Sequence, residues 1–451
     1  RPERLKCVPA MRRAAWVGVL AAVLAAGLAA VVVKHTPNHD HLPEPLRPYR
    51  PWWVVALNAL LPFVGVSQQG GLPSLKADDM LATASWVTGL TDLGQDSDHL
   101  KEGLGVLSTA MDKANYTATG RLLTWVQLQM ILQTRLKIVD YANRHQEVRE
   151  EAILAPVFVL GYPRSGTTWL QRILAVDETH FRSPLAWEIM DTVPPPTREE
   201  SGGNSWRVTM ARIGMALFKR LNPTFEAVHP IDPMNAEECM PILAMSGLSL
   251  HFNTLFNVPD YQKWLMKQDQ RPALRWHKLF LQVLQSGWSK TTNIPTWLLK
   301  APWHSNHLPD LLDVYPDARI VASTRDIAKV LVSISSLHGR FYPMVTDHID
   351  PLYIGAIQLW QWLEMGRRLK HAQKLVDIQT VEYKNLTADP IAAARKLYEV
   401  YGWRLEQSVE DRMREFVERK GKRSNWIKHE YELEWFGLSD AVVREAFVGL
   451  V

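Results

Sequence analysis

The sequence has almost no cysteine: Cys7 and Cys239 are its two, among 451 residues. Thiols so far apart encode neither a disulfide framework nor a cysteine-rich metal cluster. A strong charge of one sign is also missing. The net charge is +4, and Arg1, Arg4, Lys6, Arg12 and Arg13 against Glu3 account for all of it. The remainder is balanced, which leaves no electrostatic case for a nucleic-acid partner. Internal repeats are absent, and compositional bias is confined to one Ala-rich and one Pro-rich stretch. What is left is an ordinary globular composition, 47% hydrophobic and 22% charged. The chain is long enough for one large α/β domain with additions, or for two domains.

Long apolar runs are scarce as well. Ala14 to Val33 is the uncharged stretch suited to crossing a bilayer, because its length at about 1.5 Å per residue spans roughly 30 Å. Flanked by Arg12-Arg13 and Lys34, it reads as a transmembrane anchor with a translocated C-terminal domain. A cleaved signal peptide is the competing reading. Residues 35–51, rich in His and Pro, read as a linker. Residues 52–66 are apolar but too short to span; they either lie at a membrane interface or pack on the domain. The expected organisation is a basic tail (1–13), an anchor (14–33), a linker with an apolar segment (34–76) and a catalytic domain (77–451). That domain divides into a helical lead-in over 77–150 and a core over 151–451.

The core opens with Val157-Phe-Val-Leu160, an apolar run that reads as a buried parallel strand. Gly161 to Gly166 follows as a tight loop, and Thr167 onward has helical spacing. Strand, glycine-bounded loop and helix make a phosphate cradle, since loop N–H groups and the positive helix end point at one spot. The loop fits Gly-x-x-x-x-Gly but lacks the lysine that follows the second glycine in nucleoside triphosphatases; Thr167 stands there instead. Arg164 is its one internal cation. Such a cradle suits a 5′-phosphate carrying one transferable anionic group, handled without a metal.

Further strands are predicted at Trp297–Lys300, Ala318–Ser323 and Ile378–Tyr383, with helical segments between, including 195–222, 236–288 and Leu308–Val314. Alternation of this kind implies a parallel sheet with ligands gathered beyond the carboxyl ends of its strands. One such end carries Lys300 followed by Ala301-Pro302-Trp303-His304, and another carries Thr324-Arg325-Asp326 ahead of a helix containing Ser333. An Arg fork and a Ser hydroxyl are suited to a second phosphate.

Pro163-Arg-Ser-Gly-Thr-Thr168 resembles the phosphosulfate loop of sulfotransferases that use 3′-phosphoadenosine 5′-phosphosulfate (PAPS). Three later segments extend the resemblance over most of 120–451. Trp297–His304 is similar to the Leu-Lys-x-Pro-x-His segment of a broad group including bacterial lipoquinone and aryl sulfotransferases. Tyr315–Asp326 resembles that group's 3′-phosphate strand and loop, keeping Arg325 but having Thr324 and Ile327 where His and Pro are common. Glu382–Pro390 is similar to its Tyr-x-x-Leu-x-x-Asp-Pro turn. The resemblance implies a P-loop-like parallel sheet flanked by helices, with helical acceptor-side insertions, to which the apolar run at 14–33 adds an N-terminal transmembrane helix. It implies PAPS as donor, no metal, and donor binding by Arg164, Ser165, Gly166, Thr167, Thr168, Trp169, Arg325 and Ser333.

Sulfuryl transfer asks for in-line positioning and for cations near the leaving oxygen; Arg164 and Lys300 are the expected pair. Two residues compete for the general base. Glu188 follows the first helix, where tyrosylprotein sulfotransferases place a catalytic Glu, and His304 follows Lys300. An ion pair would explain Glu188 otherwise, and a loop-capping hydrogen bond His304. Glu237 and Glu238 read as a solvated helix start. The acceptor is a hydroxyl of a lipid, small molecule or carbohydrate. An anchored domain, with glycosylation triplets at Asn115–Thr117 and Asn385–Thr387, points to the Golgi lumen for a eukaryotic source. The alternatives are a P-loop kinase and a non-catalytic binder of adenosine 3′,5′-bisphosphate.

Overall fold

Four of the five strands are the apolar runs read from the sequence, lying side by side in a computed structural model. The structure describes residues 50–66, 71–221, 231–288, 294–423 and 431–450, a few positions between 34 and 47, and no side chains beyond 419 in the helix ending at 423. Ahead of the sheet runs helix α1 (Ala118–Arg144), whose start is capped by the Thr117 hydroxyl accepting from Gly120 N at 3.1 Å. Strand β1 (Val157–Gly161) is buried throughout and leads into helix α2 (Thr167–Leu174). Next come β2 (Phe181–Arg182), α3 (Ala186–Met190), α4 (Trp206–Leu221) and α5 (Arg271–Ser286). Strand β3 (Thr296–Lys300) and β4 (Arg319–Thr324) follow, then α6 (Ile327–Phe341) and α7 (Pro351–Ala372). The chain continues through β5 (Ile378–Glu382), α8 (Tyr383–Ala388), α9 (Pro390–Val400) and α10 (Gln407–Arg423).

The sheet order is β2-β3-β1-β4-β5 and every pair is parallel. β1 is therefore central, with Val157 opposite Leu298 of β3 on one side and Arg319 of β4 on the other. Alternate residues feed two cores. Phe158, Leu160, Leu299, Ile320 and Ala322 face the larger one, which also takes in the lead-in helices. Val157, Val159, Leu298, Val321 and Val381 face the smaller. Burial on both faces explains why β1, β3 and β4 read as continuous apolar runs rather than alternating ones. The chain goes from β1 to one side of the sheet and later to the other, so the crevice above β1, β3 and β4 is the expected ligand position.

The fold is thus α/β, a parallel sheet flanked by helices. One part of the expected class is corrected: the membrane-spanning helix. Residues 14–33 lie outside the described residues, and among the described residues no helix is long and apolar enough to cross a membrane. The two longest helices described are too charged to cross: α1 carries Arg121, Arg135, Lys137 and Asp140, and α7 carries Glu364, Arg367 and Arg368. The apolar segment after the linker forms a helix over Trp52–Leu60 that buries Val54 and Val55 on the domain. Its Asn58 accepts from Thr119 N at 2.8 Å, while Trp52 stays exposed.

Candidate active site

The loop between β1 and α2 is shaped by backbone that most side chains avoid. Gly161 (φ +112°) and Gly166 (φ +93°) both lie in the left-handed region. A Cβ at Gly161 would stand 2.3 Å from the Ser323 carbonyl oxygen, and one at Gly166 would press on Leu386 and Tyr383 at 3.0 Å. Arg164 adopts φ +62°, which for a non-glycine residue is a strained position. Ser165 holds the turn together: its hydroxyl donates to Tyr162 O at 2.5 Å and meets Ser323 Oγ at 2.5 Å. Its side chain is committed to the scaffold, which leaves the loop N–H groups and the start of α2 as the anion-facing elements.

Arg164 and Arg325 converge here. Arg164 Nε donates to Ser333 Oγ at 3.1 Å, and Arg325 Nη1 donates to Arg164 O at 2.7 Å. Ser333 stands on α6, whose start is capped by Asp326 accepting from Lys329 N at 3.1 Å. The Arg325 guanidinium lies 4.3 Å from the centroid of Tyr383. Thus the Tyr383–Pro390 turn serves the loop directly: Tyr383 and Leu386 pack on Gly166, while Asp389 caps α9 by accepting from Ala392 N at 2.9 Å. Burial pushes the Arg164 guanidinium below its usual value; Tyr431, Tyr383 and Glu238 oppose this and Arg325 adds to it. Two guanidinium groups held together in this way favour an anion between them.

At the next strand end, the buried Lys300 ammonium donates to Thr168 Oγ1 at 2.9 Å and to the Glu238 carboxylate. Lys300 has 1% of its side chain exposed and Glu238 has 23%, so the carboxylate is the part of the pair that faces outward. Glu238 also acts electrostatically on Arg164, Arg172, His251 and His304. Sequence reasoning missed this residue by treating Glu237 and Glu238 as solvated. The Leu185–Ala236 bridge and the bond from Glu237 N to Pro184 O, 2.9 Å, fold that segment back over the site. No local pattern encodes that long-range pairing. Trp169 stacks on Phe416 of α10 with centroids 5.6 Å apart, at the edge of the loop.

The two expected bases, Glu188 and His304, are both buried. Glu188 is fully buried and accepts from Arg182 Nη2 at 3.3 Å, Leu185 N at 3.0 Å and Ser201 Oγ at 2.7 Å. Arg182 pairs with Trp297 at the start of β3, the opposite end from Lys300, and its guanidinium lies 4.0 Å from the Trp288 centroid. His304 is buried edge-on against Phe158, at 5.2 Å, and burial pulls its pKa down to about 3. Structure thus brings Arg164, Ser165, Thr168, Lys300, Arg325 and Ser333 together and draws Glu188 and His304 into the packing.

A family-wide sequence profile, described as Sulfotransferase family, matches residues 156–407, more than half of the chain. The chain belongs to the sulfotransferase family. Sulfotransferase STF1 of Mycobacterium tuberculosis superposes with a TM-score of 0.72 at 28% identity, covering 82% of this chain and 98% of its own. Sulfotransferase STF9 of Mycobacterium avium gives 0.75 at 26% identity, covering 84% and 96%. The omega-hydroxy-beta-dihydromenaquinone-9 sulfotransferase of M. tuberculosis is 24% identical over 263 residues, which is 56% of this chain. The matched stretch spans 64% of that relative's length. These relatives of the sulfotransferase are bacterial, and bacteria have no Golgi. That overturns the expected Golgi-lumenal placement.

Proposed function

We propose that the chain transfers a sulfuryl group from PAPS to a hydroxyl of a lipid or small-molecule acceptor. The observation that carries this is the meeting of Arg164, Arg325 and Ser333 at the glycine-bounded loop, with Lys300 at the adjoining strand end. The residues suit the donor: Arg325 and Ser333 for the 3′-phosphate, and the N–H groups of 165–168 with Arg164 for the phosphosulfate. Trp169 lines the rim. Residues 77–451 are the catalytic unit.

Glu238 takes the role of general base. The acceptor oxygen forms a bond to sulfur as the bond from sulfur to the phosphate oxygen breaks. Glu238 receives the hydroxyl proton, and adenosine 3′,5′-bisphosphate leaves with the bonding pair. Lys300, bonded to both Thr168 and Glu238, is placed to steady charge on the leaving oxygen while holding the carboxylate in position. A base in that position is worth about 10²–10⁴-fold. A relative named for omega-hydroxy-beta-dihydromenaquinone-9 supports a hydroxylated lipid as acceptor.

Calorimetry with adenosine 3′,5′-bisphosphate tests the donor site, and label transfer from PAPS tests catalysis. Binding with transfer is expected. Binding without transfer to any lipid, phenol or sugar would leave a non-catalytic binder, and failure to bind would remove the donor assignment itself.

A further inference from the structure

Beneath the Lys300–Glu238 pair lies a second cluster that the transfer chemistry does not use. Cys239, next to Glu238, donates its backbone N–H to Lys300 O at 2.9 Å and buries its thiol. His277 comes from α5, and His304 from the turn of 3-10 helix Pro302–Asn306 after β3. One ligand atom from each lies within 4.8 Å of the other two, and all three residues are buried. The Tyr315 hydroxyl meets His277 Nδ1 at 2.8 Å, which leaves His277 Nε2 without a hydrogen-bond partner; His304 Nε2 has none either. Buried polar atoms left unpaired are costly, so a partner at this spot is favoured. Two imidazole nitrogens and a thiol turned to one spot in an apolar shell match the ligand types of a thiophilic ion.

We propose that Cys239, His277 and His304 bind a zinc ion. The donor set is of the type zinc takes, with a fourth position left to water. Tyr315 acts from behind, fixing the His277 ring by holding its other nitrogen, as outer partners of metal-bound histidines do. Bond lengths of about 2.0–2.3 Å require ligand atoms roughly 3.3–3.6 Å apart, so atoms already within 4.8 Å of one another need only a small closure onto the ion. The Cys239 thiol proton is released to solvent as the sulfur–zinc bond forms. Bound there, the ion ties the segment bearing Glu238 to the turn that follows Lys300.

Cobalt chloride is the probe, added to the full-length protein after chelator treatment. The expected result is one equivalent bound with a thiolate-to-cobalt charge-transfer band and tetrahedral d–d bands, both removed by zinc chloride. Cys239→Ser should abolish the charge-transfer band and Cys7→Ser should keep it. Tyr315→Phe should weaken binding about 10- to 100-fold. No band in the wild type, or a band that follows Cys7 instead, overturns the site. Should Cys239→Ser fail to fold, X-ray absorption on the zinc-loaded wild type decides: one sulfur with nitrogen neighbours supports the site, and an all-oxygen shell refutes it.

Discussion

Arg325 reaches across from the end of β4 to bind the carbonyl oxygen of Arg164 at 2.7 Å, locking the tip of the β1–α2 loop onto the neighbouring strand. The same Arg164 donates to Ser333 on α6, so one residue of the loop is gripped from a strand end and from a helix. Geometry of this kind makes the proposed donor pocket a joint product of residues more than 150 positions apart, and it sets the first expectation.

Arg164→Ala and Arg325→Ala should each weaken adenosine 3′,5′-bisphosphate by about 1.5–3 kcal/mol, on the order of ten- to a hundredfold, since each removes a charge-assisted hydrogen bond. Arg325→Lys should fall between, because a lysine restores charge but not the planar fork. Calorimetry reads both. Unchanged affinity in both alanine variants would rule out the pocket.

Glu238→Gln should cut turnover by about 10²–10⁴ while leaving affinity for the bisphosphate unchanged. Steady-state kinetics beside calorimetry separates the two readouts. An equal loss in both would make Glu238 a support of Lys300 rather than a base.

Glu188 gives the opposite pattern. With its partner removed in Glu188→Ala, the Arg182 charge is left buried between Trp288 and Trp297, at a cost of about 3–5 kcal/mol. Denaturant unfolding measures this. A variant of normal stability with lost turnover would return Glu188 to the reaction.

Acid should destabilise the fold through its sequestered histidines. Burial lowers His251 and His338 from 6.5 to about 4, with the Glu238 charge opposing at the first and the bond to Ile334 O at the second. The folded pKa lies below the unfolded one, so between these values the unfolded chain holds more protons. Stability is fully present above pH 6.5 and is lost as pH falls toward 4, by up to about 3 kcal/mol per histidine. Urea midpoints across that window should slope upward with pH. In a His338→Gln variant the slope should be shallower, and a slope that does not change excludes that histidine as a source.

The three central strands were legible because they are buried on both faces and so stand out as apolar runs, whereas the edge strand β5 is only partly buried. Val157–Gly161, Thr296–Lys300, Arg319–Thr324 and Ile378–Glu382 lie within a residue of the expected bounds. β2 was not, since Phe181–Arg182 is too short to show a period. In the site, the loop and the residues just past strand ends could be read because local sequence fixes both backbone and chemistry there. Glu238 could not, for its role depends on a segment folded back by pairing with Leu185. The Cys239–His277–His304 cluster escaped for the same reason, drawing on three separate elements without a ligand spacing in the sequence.

Sulfuryl transfer itself is read by incubating the protein with radiolabelled PAPS and a hydroxylated isoprenoid quinone, then counting label in the extracted lipid. Label is expected in the lipid with the wild type, and little with Glu238→Gln although that variant still binds adenosine 3′,5′-bisphosphate. Wild-type protein that binds neither the donor nor its product, and moves no label to lipid, phenol or alcohol, would contradict that transfer.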